Sequence, residues 1–243
     1  EMARRCVLIL CGSFNPPTNA HLRMAELAKD TLVSAHYTVV ETIFSPVSGV
    51  YTHKELAADY HRYTMLSLAT AASPSVRSDD WELKRGRWSR TIEVLTHHRE
   101  DARRRFNDPD LECLLVSGGD MVDSFARILP DGSHLWARED VAAICNEFGL
   151  VIIKRVGSNP ELTLANLGQL NATKVYINRE AAFPNVQSST LLREAIAQGR
   201  SIRYTTPCPV VDYILDHGLY GAVGRQNGAN GHTNGHSNGM NGD

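Results

Sequence analysis

At 243 residues, with 42% apolar and 21% charged side chains, the chain can bury one substantial core and does not require a second. A formal net charge of −2 excludes the general basic field of a nonspecific nucleic-acid binder, so any anion site must be local. Five cysteines without a Cys-x-x-Cys pair read as reduced packing residues of an intracellular protein. The lack of a membrane-length apolar stretch, and of a signal-like apolar region near the start, predicts a soluble chain with no membrane partner.

Short apolar, β-branched runs at 6–10, 39–44, 111–116, 150–153 and 175–177 predict buried parallel strands. Segments with helical spacing separate them: Leu22 to Leu32, then 63–72, 92–105 and 141–148. This alternation predicts an α/β fold, a doubly wound, mostly parallel sheet with helices on both faces. One folded domain is expected over 1–224. From Arg225 to Asp243 the composition turns to Gly, Asn, Ser and His with five Asn-Gly pairs and no flanking strand formers, which predicts a disordered tail.

The first strand runs into Cys11-Gly12, and a helix is expected to begin near Thr18. The loop between, Gly12-Ser13-Phe14-Asn15-Pro16-Pro17, has a glycine that permits close backbone approach and two prolines that stiffen it. Thr18 or Asn19 can cap the helix, whose first amides can face a phosphate. No Gly-Lys-Ser/Thr and no Gly-x-Gly-x-x-Gly follows, which disfavours ordinary ATPases and dehydrogenases. His21 falls in the first helical turn, where it could donate to a phosphoryl oxygen; a histidine there, taken alone, is usually a polar surface residue, and the surrounding loop favours the phosphate reading.

The stretch from Gly12 to Arg23, GSFNPPTNAHLR, resembles the signature of the nucleotidyltransferase superfamily in a Thr-x-x-His variant of its His-x-Gly-His motif. It is similar in particular to eukaryotic nicotinamide/nicotinate mononucleotide adenylyltransferases. A late segment, Ser188-Ser189-Thr190-Leu191-Leu192-Arg193, resembles that family's Ile-Ser-Ser-Thr-Lys-Ile-Arg, with Gln187 and Leu191 departing from it. Read alone, that segment is a well-capped helix start with a surface arginine. Ser45-Pro46-Val47, Tyr51, Tyr60-His61-Arg62, Trp88-Ser89-Arg90-Thr91, Gly118-Gly119-Asp120 and Leu135-Trp136 match further segments in the family's order, so the resemblance spans roughly 7–220.

The resemblance implies adenylyl transfer from ATP to nicotinamide mononucleotide, and to its nicotinate form, in NAD biosynthesis. It implies ATP contacts from Gly12, Ser13, Phe14, His21, Gly118, Asp120, Ser188, Thr190 and Arg193, with His21 and Arg193 acting on the transferred phosphates. It implies mononucleotide contacts from Ser13, Phe14, Tyr51, His53, Trp88, Thr91, Leu135, Trp136 and Asn185, the tryptophans holding the pyridine ring. Mg²⁺ is expected to arrive with ATP, with no dedicated protein ligands. His53 stands where the family has a phosphate-contacting lysine, so mononucleotide binding is expected to weaken as pH rises through the imidazole range.

Other readings stay open at this stage. A related transferase could act on phosphopantetheine or a choline-type phosphate, and the same pocket could serve a non-catalytic or added chaperone role. Homo-oligomerisation and the choice between cytoplasm and nucleus are open as well. Arg103-Arg104-Arg105 reads as a solvated helix end.

Overall fold

The computed structural model describes residues 3–50, 55–154, 157–167, 173–178 and 187–223. Its centre is the strand Arg4–Gly12 (β1), in which residues 6–10 are almost fully buried. Alternate side chains serve opposite faces. Val7 and Ile9 pack with Val94, Leu95 and Ala102, whereas Cys6, Leu8 and Leu10 pack with Ala25, Ala28 and Leu32. A strand covered by helices on both sides needs apolar residues at every position, which is why it reads as an unbroken run.

The other strands are Tyr37–Pro46 (β2), Val76–Ser78 (β3), Glu112–Gly118 (β4), Leu150–Ile153 (β5) and Val175–Asn178 (β6). All pairings are parallel, in the order β3-β2-β1-β4-β5-β6. The order reverses direction between β1 and β4, and a crevice therefore opens beyond their carboxyl ends, at Gly12 and Gly118. β3 carries no apolar run: Arg77 sits in it between Glu41 and Asp79, so this edge strand is held by charge pairs that strand periodicity does not register.

The helices are Asn19–Val33 (α1), Asp59–Thr70 (α2), Trp81–Lys84 (α3), Thr91–Arg105 (α4), Gly119–Asp123 (α5), Arg138–Ala143 (α6), Pro160–Asn166 (α7), Ser189–Ala197 (α8) and Cys208–Asp216 (α9). α2 starts four residues before its predicted start at 63, because Asp59 in its first turn pairs with Arg62. The helix expected over 141–148 is α6 followed by a π turn, Ile144–Phe148. Gly149 closes that turn at φ 124°, and a Cβ there would meet the Leu114 side chain at 2.8 Å, so a larger residue is excluded twice over. α2, α8 and α9 pack through Met65, Leu192, Ile196, Val210, Val211 and Ile214 into a separate apolar cluster behind the β1 loop.

No helix among the described residues is long and apolar enough to cross a membrane. Arg104 and Arg105 at the end of α4 pair with Asp101, and Arg103 donates to the Leu111 carbonyl. The expected tail at 225–243 lies outside the described residues.

Candidate active site

The site grows from the turn after β1, where nearly every carbonyl is held from behind. Gly12 O accepts from Val47 N (2.9 Å), Ser13 O from Arg62 Nη1 (2.9 Å) and Asn15 O from Arg193 Nη1 (2.7 Å). Pro16 O accepts from Ser189 Oγ (2.7 Å) and Pro17 O from Thr206 Oγ1 (2.8 Å). The donors come from β2 onward through α2, α8 and the approach to α9, so distant parts of the chain converge on six residues. Asn15, 1% exposed, completes the anchor: its Oδ1 accepts from Ala57 N and Tyr220 Oη, and its Nδ2 donates to Glu55 O.

Arg62 is the deepest of these donors. Its guanidinium is fully buried and donates to Ala57 O, Ser13 O, Val47 O and Asp59 Oδ1. A buried cation survives when its fork is matched in this way. The loop also holds Phe14 at φ 44°, which a non-glycine residue adopts at a cost, offset here by burial of its ring against Phe44 and His21. A Cβ on Gly12 would meet that ring at 3.2 Å, so the glycine makes room for Phe14 as well as for any ligand.

Thr18 caps α1 and fixes His21. The hydroxyl accepts from His21 N, and the Thr18 backbone N–H donates to His21 Nδ1 at 3.0 Å, a capping box with histidine in the place of the usual glutamate. With Nδ1 accepting, the proton of the neutral ring sits on Nε2. The capping chemistry of the helix thus sets the tautomer of its candidate catalytic side chain.

In front of the loop lies a cavity of about 860 Å³ at the β1/β4 switch point. Gly12, Ser13, Phe14 and His21 line one part of it, Gly118 and Asp120 the part at the end of β4, and Trp88, Thr91, Leu135 and Trp136 another. Trp136 is fixed by a hydrogen bond from its Nε1 to Ser124 Oγ (3.0 Å) and an edge contact with Phe125, whereas Trp88 is 49% exposed at the rim. The rim carries ion pairs, with Arg90 Nη1 reaching both oxygens of Asp140 and Arg87 reaching Glu93.

Ser188, Thr190 and Arg193 lie behind the loop rather than on the cavity wall. Ser188 caps α8 by accepting from Leu191 N, and Arg193 bonds Asn15 O and Thr190 Oγ1. Leu191, in the place of the family's lysine, is 52% exposed on α8. Tyr51, His53 and Asn185 lie outside the described residues.

Thr206, which holds the Pro17 carbonyl, and Tyr220, which holds the Asn15 side chain, carry no motif that sequence reading could find. Arg62 belongs to the Tyr60-His61-Arg62 segment that resembles the family, and its own context adds a second signal: an arginine three residues before the apolar pair Met65-Leu66, on the buried side of a helix. Glu82, 3% exposed and part of the cavity wall, was also missed.

A cytidylyltransferase-like family profile matches residues 9–195. A nicotinamide/nicotinic acid mononucleotide adenylyltransferase of Caenorhabditis elegans is 44% identical over 220 residues, covering 89% of this chain and 98% of that one. The chain belongs to this adenylyltransferase family. An Arabidopsis thaliana member is 35% identical over 217 residues, 88% of this chain and 89% of its own. Among solved structures, the Plasmodium falciparum nicotinic acid mononucleotide adenylyltransferase complexed with NaAD aligns with a TM-score of 0.65 at 21% identity, over 89% of this chain and 97% of that one. That likeness bears on the fold, and it agrees with the doubly wound sheet read from the sequence. Family membership likewise agrees with the resemblance carried by residues 12–23.

Proposed function

We propose that this chain transfers the adenylyl group of ATP to nicotinamide mononucleotide and to nicotinate mononucleotide, releasing pyrophosphate, as a step of NAD biosynthesis. One observation carries the reading: a single cavity at the switch point joins a rigidly anchored phosphate-type loop to a pair of tryptophans. A molecule with phosphate at one end and a flat cationic ring at the other fits that pairing.

In the proposed reaction a phosphate oxygen of the mononucleotide attacks the α-phosphorus of ATP. The new P–O bond forms as the bond from the α-phosphorus to the bridging α–β oxygen breaks, and the electron pair leaves with pyrophosphate. No protein nucleophile takes part, so the chain's work is to position and neutralise. His21, with its proton on Nε2, donates to the oxygens on which charge develops. Arg193 bonds Asn15 O and Thr190 Oγ1 from behind the loop, so its part is to hold the loop's shape and to add positive charge beneath it. Gly118 and Asp120 stand at the nucleotide side, and Trp88, Thr91, Leu135 and Trp136 at the pyridine side.

Among the described residues no three acidic, histidine or cysteine side chains assemble into a metal cage. A Mg²⁺ carried by the phosphates of ATP would neutralise phosphate charge at this site.

The test is direct. Purified protein is incubated with ATP and Mg²⁺ against nicotinamide mononucleotide, nicotinate mononucleotide, phosphopantetheine or, with CTP, choline phosphate, and the products are separated. Dinucleotide from the pyridine acceptors is expected. Product only from phosphopantetheine or choline phosphate would replace this reading with a related transferase.

A further inference from the structure

Glu82, on the short helix α3, is the one deeply buried carboxylate of the described cavity wall. Its Oε1 accepts from Ser45 Oγ at 2.9 Å, from the end of β2, and its other oxygen has no hydrogen-bond partner among the described residues. Asp120 and Asp140 also line the cavity, and the one cation among its described walls, Arg90, is engaged by Asp140. The described walls thus carry more acid than base, although both substrates are rich in phosphate. Glu82 lines the cavity, so a group bound there can reach its unbonded oxygen. The pyridinium ring of the mononucleotide is the cationic part of the substrates.

We propose that Glu82 recognises the positive charge of the pyridinium ring, its open oxygen facing the ring held at Trp88 and Trp136. This rests on the mononucleotide reading above. Neither composition nor motif pointed to Glu82, because a glutamate beside Trp81 on a four-residue helix reads as a surface residue.

The surroundings make this contact responsive to the ligand. Burial pushes the Glu82 carboxyl up to about 8, opposed by the Ser45 hydrogen bond and by Arg62 of α2, and reinforced by Asp79 after β3 and Glu93 of α4. Cys11 of β1 also faces it, its thiol pushed up by burial and therefore uncharged. A cation brought to the open oxygen favours the carboxylate, so the arriving pyridinium draws the proton off Glu82. Gln in its place keeps the Ser45 hydrogen bond and the shape but cannot ionise.

The experiment compares wild type, Glu82→Gln and Glu82→Asp with two acceptors, nicotinamide mononucleotide and its reduced form, whose dihydropyridine ring is uncharged. For Glu82→Gln the KM of the charged acceptor is expected to rise about tenfold while the ATP KM and kcat stay within about twofold, the pattern of lost binding to one substrate. The preference for the charged over the reduced ring should shrink by the same factor, and Glu82→Asp should fall between. Calorimetric titration of nicotinamide mononucleotide near pH 7 in buffers of different ionisation enthalpy should show more proton release for wild type than for Glu82→Gln. Equal charged-to-reduced preference and equal proton release in wild type and Glu82→Gln would overturn the inference. So would a parallel loss towards both acceptors and ATP, which marks a purely structural role. If wild type itself forms no dinucleotide, the proposed function fails, a result distinct from these.

Discussion

The two ends of the cavity are built differently. At the Gly12 loop five backbone carbonyls are tied to partners from four other parts of the chain, and two of the side-chain donors, Arg62 and Thr206, are buried, as is the loop's own Asn15. At the opposite rim Trp88 and Leu135 are 49% and 42% exposed, and the ion pairs around them, Arg90 with Asp140 and Arg87 with Glu93, lie at the surface. The phosphate end is preorganised, whereas at the ring end Trp136 is fixed by Ser124 and Phe125 and only the outer wall, Trp88 and Leu135, is exposed enough to adjust. Charge developing in a transition state is best met by donors that need not move, whereas a ring held by dispersion tolerates adjustment. Recognition of both the amide and the acid form of the acceptor is easier to reconcile with an adaptable outer wall at the ring end.

Changes at the rigid end should therefore be severe and changes at the rim mild. Arg62→Met should have the largest effect, destabilising the fold by roughly 3–5 kcal/mol, because it strands Asp59 and three carbonyls at once. Urea unfolding of the two proteins measures it; a loss below about 1 kcal/mol would mean that the loop does not depend on this anchor. His21→Ala should fold normally and lower kcat by about 10²- to 10³-fold, as for removal of one preorganised donor. Near-normal turnover in steady-state assays would remove His21 from the mechanism.

A buried histidine elsewhere tests the frame that carries both ends. His98 on α4 is fully buried and neither ring nitrogen has a hydrogen-bond partner among the described residues. Burial lowers its pKa to about 4 from an ordinary 6.5. Between those values the unfolded chain binds more protons than the folded one, so stability falls as pH drops from about 6.5 towards 4, by up to about 3 kcal/mol. His98→Leu should flatten that slope in denaturation curves taken between pH 7 and 5; an unchanged slope would assign the acid sensitivity to other groups. Mildest of all, Asp140→Asn should cost less than about 1 kcal/mol of stability, since an exposed ion pair contributes little. A large loss would show that the rim is as fixed as the loop.

The same contrast governs what the sequence could reveal. The buried strands β1, β4 and β5 and the amphipathic α1 and α4 were legible because full or one-sided burial imposes an apolar period. The Gly12 to His21 segment was legible through its glycine, prolines and cap. β3 was hidden by Arg77, whose packing is ionic, and α9 by the prolines at 207 and 209, which punctuate its start. The network behind the loop was hidden for a deeper reason: Asn15 and Arg62 fall in recognisable segments, but the loop's partners reach it from as far as 205 positions away and meet it only in the fold. Arg193, read as a phosphate ligand from its motif, also proves to be one of these partners through Asn15 O.

In the proposed reaction the chain positions two phosphates for one direct displacement. The most direct measurement uses ATP bearing a sulfur of known configuration on its α-phosphorus and determines the configuration in the dinucleotide formed with nicotinamide mononucleotide. A single in-line displacement predicts inversion. Retention would require a covalent adenylyl-protein intermediate and would contradict the account.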